Sequence, residues 1–338
     1  MRTGHFVEGR LSRRALLAAS AAAVIGAGRR PLRSEAPARG RAQIAITLDL
    51  EMSRDYPRRG MTEWDYQKGN LDEPTKQYAV EAARRVKVRG GRIHFFCVGR
   101  VLEQPDVSWL KTLAADGHPI GNHTYDHVNV KAATAQETQF RFRRAPWLVR
   151  GRSAAEVIEE NIRITTLGLK ERIETEVCGF RTPGGFANGL ADRPDLQRML
   201  LDQGFDWVSS QYPRHESGKE GEPPSRAVLD SIVAAQEHAQ PFAYPSGLIE
   251  VPMSPISDVT AFRSGRWKLP DFLQAIRLAV EWAIRTGGAF DFLGHPSCLV
   301  IEDPRFETIQ LICDRVEQSA GRAELVDLSA IAASVVKR

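Results

Sequence analysis

From residue 43 onward, short runs of apolar, β-branched and aromatic residues alternate with longer stretches whose apolar positions recur every three or four residues. QIAITLDLE (43–51) predicts a buried strand. EPTKQYAVEAARRVKVRGG (73–91) predicts a helix closed by glycines, and RIHFFCVG (92–99) a second strand. WLKTLAADG (109–117) reads as a helix ending at Gly117, after which HPIGNH begins a third strand. VCGFRTPGG, FDWVSS, LIEVPMS and FDFLGH each predict a short buried strand running into a loop. Helical stretches separate them, notably DLQRMLLDQG and PDFLQAIRLAVEWAIRTGG. Strands alternating with helices imply parallel strands joined by crossovers. About seven such units in one body of this length suit a barrel better than two open sheets. No glycine-rich dinucleotide fingerprint opens the first unit, and no short-period repeat suggests a solenoid. Two stretches break the rhythm: residues 128–152, rich in arginine and aromatics, and residues 211–230, a loop by composition. Both are expected to be insertions in a single barrel domain spanning about 41–335.

Charge changes the picture only at the N-terminus. The formal charge is +4, yet seven of the 46 basic residues and two of the 42 acidic ones lie in residues 1–38, so the remainder is near neutral. That balance does not suggest a nucleic-acid binder. SRRALLAASAAAVIGAG (12–28) places a twin arginine before an apolar run of about 14 residues, shorter than the roughly 20 that a membrane span needs. A basic start, a modest apolar run and the small residues of APA (36–38) predict a cleaved export signal occupying 1–38. The Ser12-Arg13-Arg14 group with Leu16 and Leu17 resembles the twin-arginine class, which implies transient engagement of export machinery and a periplasmic or secreted destination. Cys97, Cys178, Cys298 and Cys313 show no paired spacing and are expected to be isolated thiols.

Candidate chemistry gathers where the strands end, as it does in parallel barrels. Asp49 and Glu51 are two apart, so on a strand they share a face, with Leu50 turned to the core. Two carboxylates pointing together require a metal ion, an arginine or a shared proton between them. His123 and His127 would lie about 13 Å apart on a straight strand, too far to share a metal. A strand-to-helix turn at GNHTYD would bring them to about 6 Å, and Glu51 would complete a set of two histidines and one carboxylate with open positions. His118 precedes the strand and reads as structural.

In this order, TLDLE, HFFCVG, DGHPIGNHTYDH, GFRTPGG, FDWVSS and FLGH resemble the blocks of the NodB-type polysaccharide deacetylases, carbohydrate esterase family 4. The resemblance runs from about residue 43 to 335, and DGHPIGNHTYDH is its most specific part. It implies a distorted (β/α)7-type barrel and metal-dependent removal of acetyl groups from N-acetylated sugars. His123 and His127 match the metal-ligand histidines and Asp49 the catalytic base. Arg181 matches the arginine that holds that base, His295 the histidine acting as general acid, and Leu293 the apolar residue lining the pocket. Leu50 stands where the common opening has a metal-binding aspartate. Asp49-Leu50-Glu51 looks like the variant opening in which the second acid is the ligand, which assigns Glu51. Asp206, Asp258 and Asp291 are all candidates for the residue that tunes His295. The implied cofactor is a divalent ion, zinc first, with cobalt, nickel or manganese as alternatives.

The expected partner is an N-acetylated glycan. Backbone N–H groups near Tyr125 or the 182–185 turn are candidates for stabilising an oxyanion. Trp64 and Tyr66 could stack on a sugar or simply pack their loop. Arg141, Arg143, Arg144, Arg150 and Arg152 read as a solvated face before an anion-binding one. Two rivals keep the same fold: a hydrolase of another C–N bond, such as that of a cyclic ureide, without obligatory metal, and an exported carbohydrate-binding barrel without catalysis.

Overall fold

The computed structural model describes residues 40–58, 60 and 67–336. The expected export signal, together with Trp64 and Tyr66, lies outside the described residues. Among the described residues no helix is long and apolar enough to cross a membrane. The four cysteines are free thiols, three of them buried.

The strands are β1 (Ala42–Leu50), β2 (Ile93–Cys97), β3 (Ile120–Asn122), β4 (Phe180–Phe186), β5 (Trp207–Gln211), β6 (Phe242–Ala243), β7 (Ile249–Glu250), β8 (Ala289–Gly294) and β9 (Ala323–Leu325). They form one sheet in the order β6-β7-β5-β4-β3-β2-β1-β8, with β9 added beside β1. All pairs are parallel except β6 with β7. The sheet curls into an incomplete barrel flanked by helices. No ladder joins β7 to β8. Ser254 N–H donates to the Asp291 carbonyl at 3.0 Å, and the Gln240 amide bonds both the N–H (2.8 Å) and the C=O (3.1 Å) of Ala289. The β6–β7 hairpin, two residues per strand, is the one departure from the all-parallel expectation, and it sits at the sheet's edge, where no crossover helix is needed.

Strand β1 shows why the outer core and the site share one segment. Ile44, Ile46, Leu48 and Leu50 face outward into the main apolar cluster. There they meet helix α1 (Glu73–Val88) and the long helix Leu269–Thr286 through Ala79, Ala82, Phe272, Ala275 and Ile276. Ala45, Thr47 and Asp49 alternate to the barrel interior. The floor of that interior is apolar: Ala45, Phe96, Trp207, Ile249, Val251 and Ala289 pack with Leu328, Ile331 and Ala332 of the C-terminal helix. Above the floor the interior becomes polar, and the C-terminal strand ends carry the titratable residues.

Helix α1 starts where Asp72 accepts a hydrogen bond from Thr75 N–H and Pro74 occupies its first turn. Helix Ala154–Ile173, which follows the first insertion, begins with a reciprocal cap between Ser153 and Glu156. Residues 128–152 lie between β3 and that helix, with Val128, Val130, Phe142 and Val149 anchored in a second apolar cluster against Ile158, Ile162 and Phe180. The last part of 211–230, a loop by composition, is the start of helix Arg226–Ala235, capped by Ser225, an amphipathic segment masked by the preceding run of glycines and prolines.

Gly179 has φ +76°, and a Cβ there would run into the indole of Trp207. Gly179→Ala therefore combines a left-handed backbone penalty with overpacking and is expected to cost about 3 kcal/mol. Urea denaturation checks this; an unchanged midpoint would show that β4 can shift without loss.

Candidate metal centre and active site

Five strand ends contribute to one cavity of about 310 Å³, whose lining includes Asp49, Glu51, Lys68, His123, His127, Leu293 and His295. Asp49 is the penultimate residue of β1. The chain then turns, with Glu51 N–H donating to the Asp49 carbonyl at 3.1 Å. Ser297 locks this turn: its hydroxyl donates to the Glu51 carbonyl (2.9 Å) and accepts from Ser53 N–H (2.9 Å).

The two histidines meet without a helix, contrary to the expected strand-to-helix turn. Residues 123–127 form an irregular turn in which Thr124 and His127 both take positive φ, +58° and +56°. Asn122 Oδ1 accepts from Thr124 N–H (2.8 Å), and Thr124 Oγ1 accepts from Val128 N–H (2.9 Å). Asn161, on the helix following the insertion, accepts from Tyr125 N–H through its carbonyl and from Asp126 N–H through Oδ1. The ring centroids of His123 and His127 end 5.1 Å apart. This geometry also spends the Tyr125 N–H on Asn161, so it cannot face an oxyanion; the Tyr125 hydroxyl bonds Glu103.

Glu51, His123 and His127 offer three ligand atoms that all lie within 4.8 Å of one another. His123 Nδ1 lies 3.0 Å from the Arg181 carbonyl, which can only accept. The proton therefore sits on Nδ1, and the Nε2 lone pair faces Glu51 Oε2 at 3.7 Å. His127 Nε2 lies 2.7 Å from the same oxygen, but without hydrogen-bond alignment, so Glu51 Oε2 is a buried acceptor left unsatisfied. An orphaned carboxylate oxygen facing two imidazole nitrogens fits a divalent cation such as zinc, and cobalt, nickel or manganese as well. Burial pushes His123 down and His127 to about 4, with Glu51 opposing, so both rings are neutral at pH 7 as metal ligands must be. Burial would raise Glu51, but His127, Lys68 and His295 outweigh it and hold the carboxyl well below its usual range.

Lys68 escaped the sequence reading. A lysine in a polar loop carries no sign of burial, yet its ammonium is buried and bonded to Glu51 Oε1. Leu293 is among the residues lining the cavity.

Beneath the histidines lies Arg181, with no solvent exposure. One terminal nitrogen donates to Asp49 Oδ1 (3.0 Å) and Thr47 Oγ1 (2.7 Å), and the other to Asp291 Oδ2 (2.5 Å). Ser209 accepts from Nε and from the second terminal nitrogen, and the Phe96 ring lies 4.3 Å below the guanidinium. Asp49 Oδ2 is left facing His123 and His295 at 3.7 and 3.9 Å. Burial pushes Asp291 up to about 6 despite Arg181.

The three candidate tuning aspartates separate cleanly. Asp258 holds His295, accepting from its Nδ1 (2.9 Å) and its backbone N–H (2.7 Å). Asp291 belongs to Arg181. Asp206 precedes β5 at the opposite end of the barrel, in a groove with Trp207, Ile249 and Ala332. Burial would lower the His295 pKa, but Asp258, then Glu51 and Asp49, raise it above its ordinary value.

The curled parallel sheet thus carries at its C-terminal end a buried Glu–His–His cluster with the donor set of a divalent-metal site. Residues 70–193 match the family model for polysaccharide deacetylases. A protein from Mycobacterium smegmatis described as a polysaccharide deacetylase shares the fold with a TM-score of 0.58 at 17% identity, covering 88% of this chain and 91% of its own. One from Pseudomonas aeruginosa PAO1, described likewise, gives 0.56 at 14% identity, covering 86% and 89%. At these identities the likeness is one of fold. No curated protein matches the chain in sequence. The chain thus resembles the polysaccharide deacetylases over residues 70–193 in sequence and over most of its length in fold.

Replacing either His123 or His127 by alanine is expected to weaken divalent-metal binding by about 100-fold or more while leaving the circular dichroism intact. Metal content after dialysis checks this; a His127→Ala protein retaining the wild-type metal would remove His127 from the ligand set.

Proposed function

We propose that the chain is a metal-dependent hydrolase that removes N-acetyl groups from an extracytoplasmic N-acetylated glycan. One observation carries the reading. The same cavity holds the Glu51–His123–His127 cluster, a carboxylate fixed by Arg181, and an imidazole fixed by Asp258. The export-type pattern at residues 12–38 supports a substrate outside the cytoplasm.

Amide hydrolysis needs a nucleophilic water, stabilised charge on the acyl oxygen and a proton for the departing nitrogen. Glu51, His123 and His127 would hold a divalent ion, which would supply Lewis acidity for the acetyl carbonyl and for water. Asp49 presents Oδ2 to the cavity while Arg181 occupies Oδ1, so one oxygen is free to accept the water proton. His295 donates Nδ1–H to Asp258, which leaves Nε2 at the cavity, 3.7 Å from Glu51 Oε1. With its pKa raised, His295 is protonated near neutrality and gives that proton to the nitrogen as the C–N bond breaks. The products are acetate and a free amine, and the proton taken by Asp49 returns to solvent.

Acetate release from peptidoglycan, chitin oligomers and other acetylated polymers, with and without chelator, tests the proposal. Chelator-insensitive activity, or release from none of them, would refute it. His295→Ala is expected to slow turnover by roughly 10²–10⁴ with metal still bound, and full activity in that variant would end the general-acid assignment. Asp258→Asn removes the anion that raises the His295 pKa. The acid form is then lost at lower pH, so the alkaline limb of the kcat profile should move down in pH; an unmoved limb would contradict the role given to Asp258.

A further inference from the structure

Among the described residues, Arg263 is the one charged lining residue of the cavity that has no ion-pair partner there. It sits on a π-helical turn, Val259–Ser264, that directly follows Asp258. Such turns are rare and recur at functional sites. This one is held firmly. Tyr212 OH bonds Ser257 Oγ (2.9 Å) and Thr260 Oγ1 (2.5 Å), Trp267 N–H donates to the Ala261 carbonyl, and Ala261 and Phe262 are fully buried. The guanidinium is therefore carried on a rigid base.

Among the described residues, no hydrogen bond or ion pair involves the Arg263 side chain. The cavity carboxylates have other cations. Asp49 is bonded to Arg181, and Glu51 to Lys68. Asp258, next to the cavity, is bonded to His295. An arginine not needed for internal charge balance, on a rigid turn lining the reaction cavity, is a receptor for an anion on the substrate.

We propose that Arg263 recognises a carboxylate carried by the N-acetylated sugar, so that the substrate class is an acidic glycan rather than a neutral one. This rests on the deacetylase reading for the identity of the sugar, but its test does not depend on turnover. An oligosaccharide containing N-acetylmuramic acid and its methyl ester have nearly the same shape and differ in charge. Calorimetric titration of both into the full chain should show the acid binding about 10–100-fold tighter, with a gap that narrows as salt rises. Arg263→Met should abolish the gap, and Arg263→Lys should retain part of it. Equal binding of acid and ester by the wild type, absence of binding by both, or a gap that survives Arg263→Met would overturn the proposal. Acetate release measured on the same pair decides the underlying reaction separately. Binding that discriminates the acid without acetate release would sustain Arg263 as the carboxylate receptor and reject deacetylation.

Discussion

A guanidinium with no contact with water sits near the centre of the barrel, and the arrangement of the site follows from how it is satisfied. Removing a cation from water costs several kcal/mol even after relaxation. Arg181 offsets that cost with two carboxylates, two hydroxyls and an aromatic face, drawn from β1, β2, β5 and β8. Its own backbone carbonyl meanwhile sets the proton on His123. The same residue thus orients the Asp49 carboxylate from one end and the His123 imidazole from the other. With one cation between two acids, part of the strain appears on Asp291, which burial drives up towards neutrality.

The acids of the site are kept apart by their partners. Asp49 has Arg181, Glu51 has Lys68, and Asp258 has His295. Each pairing occupies one side of the carboxylate and leaves a chosen atom towards the cavity: Oδ2 of Asp49, Oε2 of Glu51, and through Asp258 the Nε2 of His295. Chemically similar groups within a few ångströms thereby present different atoms to the cavity.

Much of this was legible in the sequence because it depends on alternation and on strand ends. The period-two pattern of β1 placed Asp49 inward and Leu50 outward, and the strand–helix rhythm implied where the polar ends would converge. What stayed hidden depends on tertiary context. The turn at 123–127 is built from side chain to backbone bonds with Asn161, almost forty residues on, and its two left-handed residues are not glycines. Lys68 resembles any surface lysine until the loop folds back. Asp206, in the strand-like FDWVSS, looked as eligible as Asp258; only the direction of β5 separates a residue entering the strand from one that could meet the site.

The barrel wall is not equally strong all round. Between β7 and β8 the ladder is replaced by one main-chain bond from Ser254 and the amide of Gln240. Local opening at this seam breaks fewer bonds than separation of any fully laddered pair, so amide exchange and breathing should concentrate there. The segment that leaves the seam carries Met253 and Arg263 into the cavity wall and Asp258 against His295. The compliant side of the molecule is therefore the side that grips His295, whereas Glu51 follows β1, which is laddered on both sides.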